Sequence, residues 1–294
     1  MSQPVSTRRI PLIHRDHRRT FHENLYVYAV VSRRSKGVSI GINLNPDKVC
    51  NFDCIYCQVD RTTPAVVRKV DMNRLRDELD DMLNLVVSGK LFEMERFRET
   101  PASLRRLNDI AFSGDGEPTT FPEFFEAVQI AAELKGEWDL PEVKVVLITN
   151  ASMFHKPRVQ EALALLTSNK GEIWAKLEAG TETYYQQVDR TTIPFQRILD
   201  NITAEAQRAP LVIQAMFLRM HDQLPPEVEL QAFCDRLNEI VKAGGQIKLV
   251  QVYTVARVPA ETYVSPLSRM EVDQIVDMVQ RRTKLPAEGF YGPD

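Results

Sequence analysis

Short runs rich in Val, Ile and Leu alternate along the chain with stretches whose apolar residues recur every three or four positions, the periods of strand and helix. The strand-like runs lie near Val38–Asn43, Asp109–Ser113, Val143–Thr149, Ile173–Glu178, Leu211–Leu218 and Ile247–Val255. Helical spacing follows each one. It starts near Asp71 with Met72, Leu75, Leu79, Met82, Leu83 and Val86, and returns with Val159, Leu163 and Leu166, then over Phe195–Arg208 and over Pro226–Ala243. Gly244-Gly245 marks a helix stop. Thr120-Phe-Pro-Glu123 and Ser268-Arg-Met-Glu271 read as capping boxes that open helices. Six βα units in a row predict an α/β fold, a partial (β/α)6 TIM-like barrel with parallel strands. Chemistry in such a barrel sits at the C-terminal strand ends.

The expected organisation is a basic extension over 1–36, the barrel over 37–284 and a tail over 285–294. The extension holds eight basic and two acidic side chains, while the whole chain carries −3. Such an arm suits phosphate, on nucleic acid or on a small substrate, and equally suits a solvated extension. Apolar residues make up 44% and charged ones 26%, ordinary globular usage. No run of apolar residues is long enough to span a bilayer, and the N-terminus lacks an apolar signal core. The expectation is a cytoplasmic protein, where four cysteines speak for metal binding or catalysis and against disulfides.

Three of those cysteines stand in Cys50-Asn-Phe-Asp-Cys54-Ile-Tyr-Cys57, in the loop after the first predicted strand. Three thiolates on one loop can take three corners of an Fe–S cubane and leave the fourth iron open, as catalytic metal sites do. Zinc is the alternative, with His155 or His221 completing a Cys3His set. Cys234 falls on an apolar helix stripe and reads as core. After the second strand, Ser113-Gly-Asp-Gly-Glu117-Pro offers backbone freedom at Gly114 and Gly116, together with acceptors on Asp115 and Glu117, a turn suited to an amino acid's ammonium. Polar residues interrupt the other strands: Thr149, Asn150, Lys176, Glu178, Gln214 and Gln251. Buried polar groups need partners, and a barrel mouth holding a polar cofactor provides them. Arg61 and Arg257 are further candidate anion binders, and a lid could come from residues 1–36 or from Lys90–Arg106, a polar insertion.

A C-x3-C-x2-C loop with Tyr56 in the aromatic slot, placed after the first strand of a six-unit barrel, resembles the signature of the radical S-adenosylmethionine (SAM) superfamily. The resemblance implies a [4Fe–4S] cluster on Cys50, Cys54 and Cys57, SAM chelated at the open iron, and a 5′-deoxyadenosyl radical acting on substrate. It also implies SAM contacts from Gly114, Asp115, Gly116 and Glu117, which match a GGE-type motif, and from Asn150, Lys176, Glu178 and Tyr56. A flavodoxin or ferredoxin would supply the electron. Gly41-Ile-Asn-Leu-Asn-Pro46 and Phe112–Thr119 are similar to the branch of wybutosine-synthesis-related Fe–S oxidoreductases, which would suit an RNA substrate. Residues 1–49 contain no cysteine for a second cluster, so the substrate stays open, with glycyl-radical activation among the options. The other function class is a non-catalytic zinc or Fe–S module whose basic arm binds nucleic acid.

Overall fold

A computed structural model describes residues 21–292 of the chain except 33, 258 and 260. β1 (Val27–Ser32) turns back into β2 (Gly37–Ile42), which it pairs antiparallel. Then come α1 (Met72–Val87), the short α2 (Glu95–Arg98), β3 (Leu107–Phe112), α3 (Phe124–Glu137), β4 (Lys144–Thr149), α4 (Pro157–Ser168) and β5 (Glu172–Lys176). Two helices, α5 (Glu182–Asp189) and α6 (Phe195–Arg208), precede β6 (Leu211–Met216) and β7 (Leu218–Met220). The chain ends with α7 (Glu227–Lys242), β8 (Ile247–Tyr253), β9 (Val264–Pro266), α8 (Arg269–Thr283) and β10 (Ala287–Phe290).

Eight strands form one curled, mostly parallel half-barrel in the order β1-β2-β3-β4-β5-β6-β8-β10, and β7 and β9 make a separate ribbon. The six predicted strands are β2, β3, β4, β5, β6 and β8, all parallel neighbours. Two edge strands were not anticipated. β1 lies within the stretch expected to be a basic extension, and β10 within the expected tail. Among the described residues the two edges do not pair. They are tied by an ion pair, Lys36 Nζ to Glu288 Oε1 at 3.0 Å, from the β1–β2 turn to β10. Arg8, Arg9, Arg15, Arg18, Arg19 and Arg33 of the arm lie outside the described residues.

Side-chain alternation splits the sheet into two faces. The convex face presents Ile40, Ile110, Phe112, Leu147, Ile173, Ile213 and Val252, all fully buried under the helices. Each contributes roughly 1.5–3 kcal/mol of burial. The concave face carries only a small apolar patch of Ala111, Val146, Trp174 and Val212 amid polar neighbours.

Local chemistry explains several boundaries. Asp71 caps α1 by accepting from the Asn73 and Arg74 amides. Glu78 of α1 accepts from the amides of Leu25, Tyr26 and Val27 at 2.8, 2.8 and 3.1 Å, which moors the start of β1. The capping box at Ser268–Glu271 forms at the start of α8. The one read at Thr120–Glu123 does not. Glu117 instead caps a 3₁₀ turn over Pro118–Thr120, Thr120 donates its hydroxyl to the Glu117 carbonyl at 2.7 Å, and α3 begins at Phe124. The proposed lid over Lys90–Arg106 is overturned as well. It leads into the N-terminal end of β3, buries Leu91 and Phe97 in the core, and contributes nothing to the cavity described below.

Candidate active site

The loop after β2 crosses the C-terminal ends of the parallel strands and is pinned from beneath by α5. The amides of Asp53 and Ile55 donate to the carbonyls of Asp189 and Val188 at 3.2 and 2.9 Å. Buried Phe52 meets Tyr185 edge to face. Arg190, in the left-handed region at φ 44°, donates Nε to the Asp53 carbonyl at 2.7 Å. From the other side Asn51 bonds Ser152 at 2.7 Å and Asn150 at 2.8 Å, both beyond β4. A fold held at this many points presents Cys50, Cys54 and Cys57 together: all three are free, half-buried, and line one cavity of about 290 Å³.

Burial pushes the Cys50 thiol up, and pushes Cys54 well up with the charge of Asp189 adding to it. Cys54 Sγ donates to Asp189 Oδ1 at 3.4 Å. Arg61 donates to Cys57 Sγ at 3.7 Å and to the Phe52 carbonyl at 3.2 Å. Thiols disfavoured as anions by burial become good ligands once cationic iron compensates the charge. His155 and His221 lie outside this cavity, and His221 stacks on Tyr263. The structure therefore does not bring together the Cys3His set that zinc would use. Cys234 is fully buried on α7, as its stripe implied.

The turn after β3 lines the same cavity through Ser113, Gly114, Asp115, Gly116 and Glu117. Neither glycine has a positive φ; what demands glycine there is close packing. A Cβ on Gly114 would run into the Asn43 side chain, and one on Gly116 into the Val49 carbonyl. Asn43, at the end of β2, donates to Asp115 Oδ2 at 2.8 Å and accepts from the Asp115 amide at 3.0 Å. Glu117 is 3% exposed and largely engaged within the protein. It accepts from the Thr119 hydroxyl at 2.5 Å, the Thr149 hydroxyl at 2.6 Å and the Asn150 amide at 2.7 Å. Burial raises its carboxyl while these donors oppose the rise.

Lys176 and Tyr56 also line the cavity. Glu178 stands in the wall behind them. It accepts from the Tyr56 hydroxyl, and from the Tyr253 hydroxyl at 3.0 Å, with Lys176 Nζ 3.9 Å from Oε1. Burial alone would lower the Lys176 ammonium, but Tyr253 and Glu178 hold it above its ordinary value. Burial, then the charge of Glu178, pushes Asp189 well up. Cys54, Glu178 and Asp189 have ligand atoms within 4.8 Å of one another, the metal-competent group found among the described residues. Glu178 is already occupied by two phenols, so the group reads as the seat of the cysteine loop. Sequence reasoning missed Asn43 and Asp189. Asn43 sits in the Gly41–Pro46 phrase; nothing local marks Asp189, which matters only through the fold.

A sequence profile of the radical SAM superfamily matches residues 44–219. The chain is 26% identical to a UPF0026 protein of Helicobacter pylori over 250 residues, 82% of this chain and 67% of that protein. It is 24% identical to the UPF0026 protein MJ1312 of Methanocaldococcus jannaschii over 195 residues, 65% and 53% respectively. The match thus spans about half to two thirds of the length of these relatives. In fold it is similar to TYW1 with a lysine–pyruvate adduct bound, with TM-score 0.51 and 16% identity over 83% of this chain and 73% of that one. It is also similar to a spore photoproduct lyase variant, with TM-score 0.58 and 10% identity over 90% and 79%. At such identities the likeness speaks for the fold alone.

Proposed function

The chain belongs to the radical SAM superfamily, and on that premise we propose that it is an enzyme that reductively cleaves SAM at a [4Fe–4S] cluster. The observation that carries the reading is the convergence on one cavity of three thiols from the β2 loop and the glycine-walled turn from the β3 loop. The donor set fits the cofactors: three soft ligands for iron, and backbone carbonyls with an acidic side chain for an ammonium. When bound, the cluster and SAM supply an electron and a 5′-deoxyadenosyl radical that takes hydrogen from substrate.

The chain's own residues then divide the work. Cys50, Cys54 and Cys57 ligate iron. Gly114, Gly116 and Asp115 receive the amino acid end of SAM, with Asn43 fixing Asp115 in place. Asn150 and Lys176 offer donors to its carboxylate or to a substrate oxyanion. Glu117 ties the β3 turn to the end of β4, and Glu178 orients Tyr56 and Lys176 from behind. A flavodoxin or ferredoxin supplies the electron in this reading, and exposed Val49 on the cysteine loop is compatible with its docking there. Among the described residues no helix is long and apolar enough to cross a membrane. Low-potential thiolate chemistry suits the cytoplasm. The substrate reading, an RNA or a smaller molecule, rests on the arm and on the cavity floor.

Anaerobic purification and reconstitution test the reading. The expected result is a brown protein with ~4 iron per chain that releases 5′-deoxyadenosine from SAM under dithionite. A colourless zinc protein with no such release would overturn it and favour the non-catalytic module.

A further inference from the structure

Below the thiols, the cavity continues down the concave face of the sheet to a floor made by the β1–β2 turn. Arg34 of that turn enters the lumen, with its guanidinium 5.7 Å from the Trp174 ring centroid and 5.4 Å from that of Tyr253. These ring contacts use none of its five N–H donors. Two acceptors line the same cavity without a hydrogen-bond partner among the described residues: Gln214 Oε1 and Asp109 Oδ2. Gln214 is 0% and Asp109 2% exposed. Their other atoms are placed, since Gln214 Nε2 donates to Gln251 at 2.8 Å and Asp109 Oδ1 accepts from the Ser39 hydroxyl; the buried Ser35 hydroxyl of the turn, also without a hydrogen-bond partner within 3.5 Å, lies near enough to Asp109 to favour its carboxylate. Orphaned acceptors at this depth are costly and call for a partner.

We infer that this floor is a substrate subsite for a compact amide-type group, a carboxamide, ureide or lactam. Its carbonyl oxygen takes the Arg34 fork, and its N–H groups reach Asp109 and Gln214. A simple carboxylate or phosphate would satisfy Arg34 but face the Asp109 carboxylate and leave both acceptors unmet. A plain ammonium would satisfy the acceptors and oppose Arg34. Only a group with both polarities side by side completes the set. Lys36 of the same turn pairs with Glu288 of β10 on the exposed side of the sheet edges. This assignment rests on the reading of the cavity as the SAM and substrate chamber.

The test is equilibrium dialysis of labelled uracil, a cyclic ureide, against anaerobically reconstituted protein with SAM and no reductant. Saturable binding is expected, undisplaced by equal acetate or inorganic phosphate. Arg34→Met and Asp109→Asn should each weaken it roughly tenfold or more, the scale of a charge-assisted hydrogen bond. Gln214→Leu, expected to weaken binding several-fold, serves if Arg34→Met does not fold. No saturable binding, displacement by acetate or phosphate, or unchanged affinity in the variants would each overturn the subsite. Release of 5′-deoxyadenosine by the unsubstituted protein is read separately. A chain that binds uracil without cleaving SAM keeps the subsite and loses the proposed reaction; the reverse result loses only the subsite.

Discussion

The two faces of the same sheet obey different rules. Along β6, Ile213 points outward into the large core and Gln214, its chain neighbour, points inward to the cavity. β3 repeats the contrast with Ile110 outside and Asp109 inside, and β5 with Ala175 outside and Lys176 inside. The convex face is a continuous apolar layer that any hydrophobic residues of similar volume could fill. The concave face accepts buried polar groups, some unpartnered, that make folding harder. A fold tolerates such groups where a ligand completes them, so the distribution of unmet polarity separates what builds the half-barrel from what uses it.

The largest effect expected on the functional side comes from Cys54. Its thiol donates to Asp189, and no described cysteine beyond the three lines the cavity to replace it. Cys54→Ala should lose the cluster and all 5′-deoxyadenosine formation while the secondary structure persists. Iron analysis, product assay and circular dichroism check this, and retained product formation would dissolve the functional assignment of the concave mouth.

On the structural side the strongest effect belongs to Leu147. It is fully buried on the convex face, and Leu147→Ala should cost about 2–5 kcal/mol. Ile148 is only half-buried, in the lumen patch, so Ile148→Ala should cost clearly less. Urea unfolding of the two variants in parallel measures the difference, and equal costs would erase the distinction between the faces.

Asp109 gives the concave face a pH signature. Burial pushes its carboxyl up to about 6 from 3.8. The folded chain then holds a proton that the unfolded chain has released across that window. Stability from this group is present below pH ~4 and lost as pH rises through about 6. The loss amounts to at most about 3 kcal/mol. Asp109→Asn should remove this slope, so that the variant gains on the unsubstituted protein between pH 4 and 7. Parallel stability curves with no divergence across that range would show that Asp109 titrates as an ordinary surface acid.

Much of this contrast was legible in the order of residues. Short apolar runs placed all six central strands, and polar residues interrupting them at Lys176, Gln214 and Gln251 marked a polar barrel mouth. Three cysteines within eight positions needed no fold to stand out. What was hidden depends on contacts distant in sequence. β1 reads as buried on both faces, yet it sits between arginines that drew attention to charge. β10 is four half-exposed residues that become a strand only by pairing with β8. Gly114 and Gly116 looked like turn glycines, but what requires them is the approach of Asn43 and Val49 from another loop. Glu117 read as a ligand contact, and it lines the cavity, but its engagement by the Thr149 hydroxyl and the Asn150 amide from the end of β4 is something only the fold delivers.

The finest test of the comparison concerns Gln214 and Gln251, which meet amide to amide at 2.8 Å beneath the site. Gln214→Leu removes one donor and strands the Gln251 acceptor in a buried place, so it should cost about 1–3 kcal/mol. Gln251→Leu should cost a similar amount by stranding the Gln214 donor. Changing both to Leu removes the pair and also the acceptor of Gln214 that had no partner, so the double variant should return to near the original stability or exceed it. A double-mutant cycle read by urea unfolding would then show a coupling of 1 kcal/mol or more. If the two losses simply add, the glutamines contribute to the fold in the manner of convex-face residues, and the claim that the inner face keeps its polarity for a ligand loses its support.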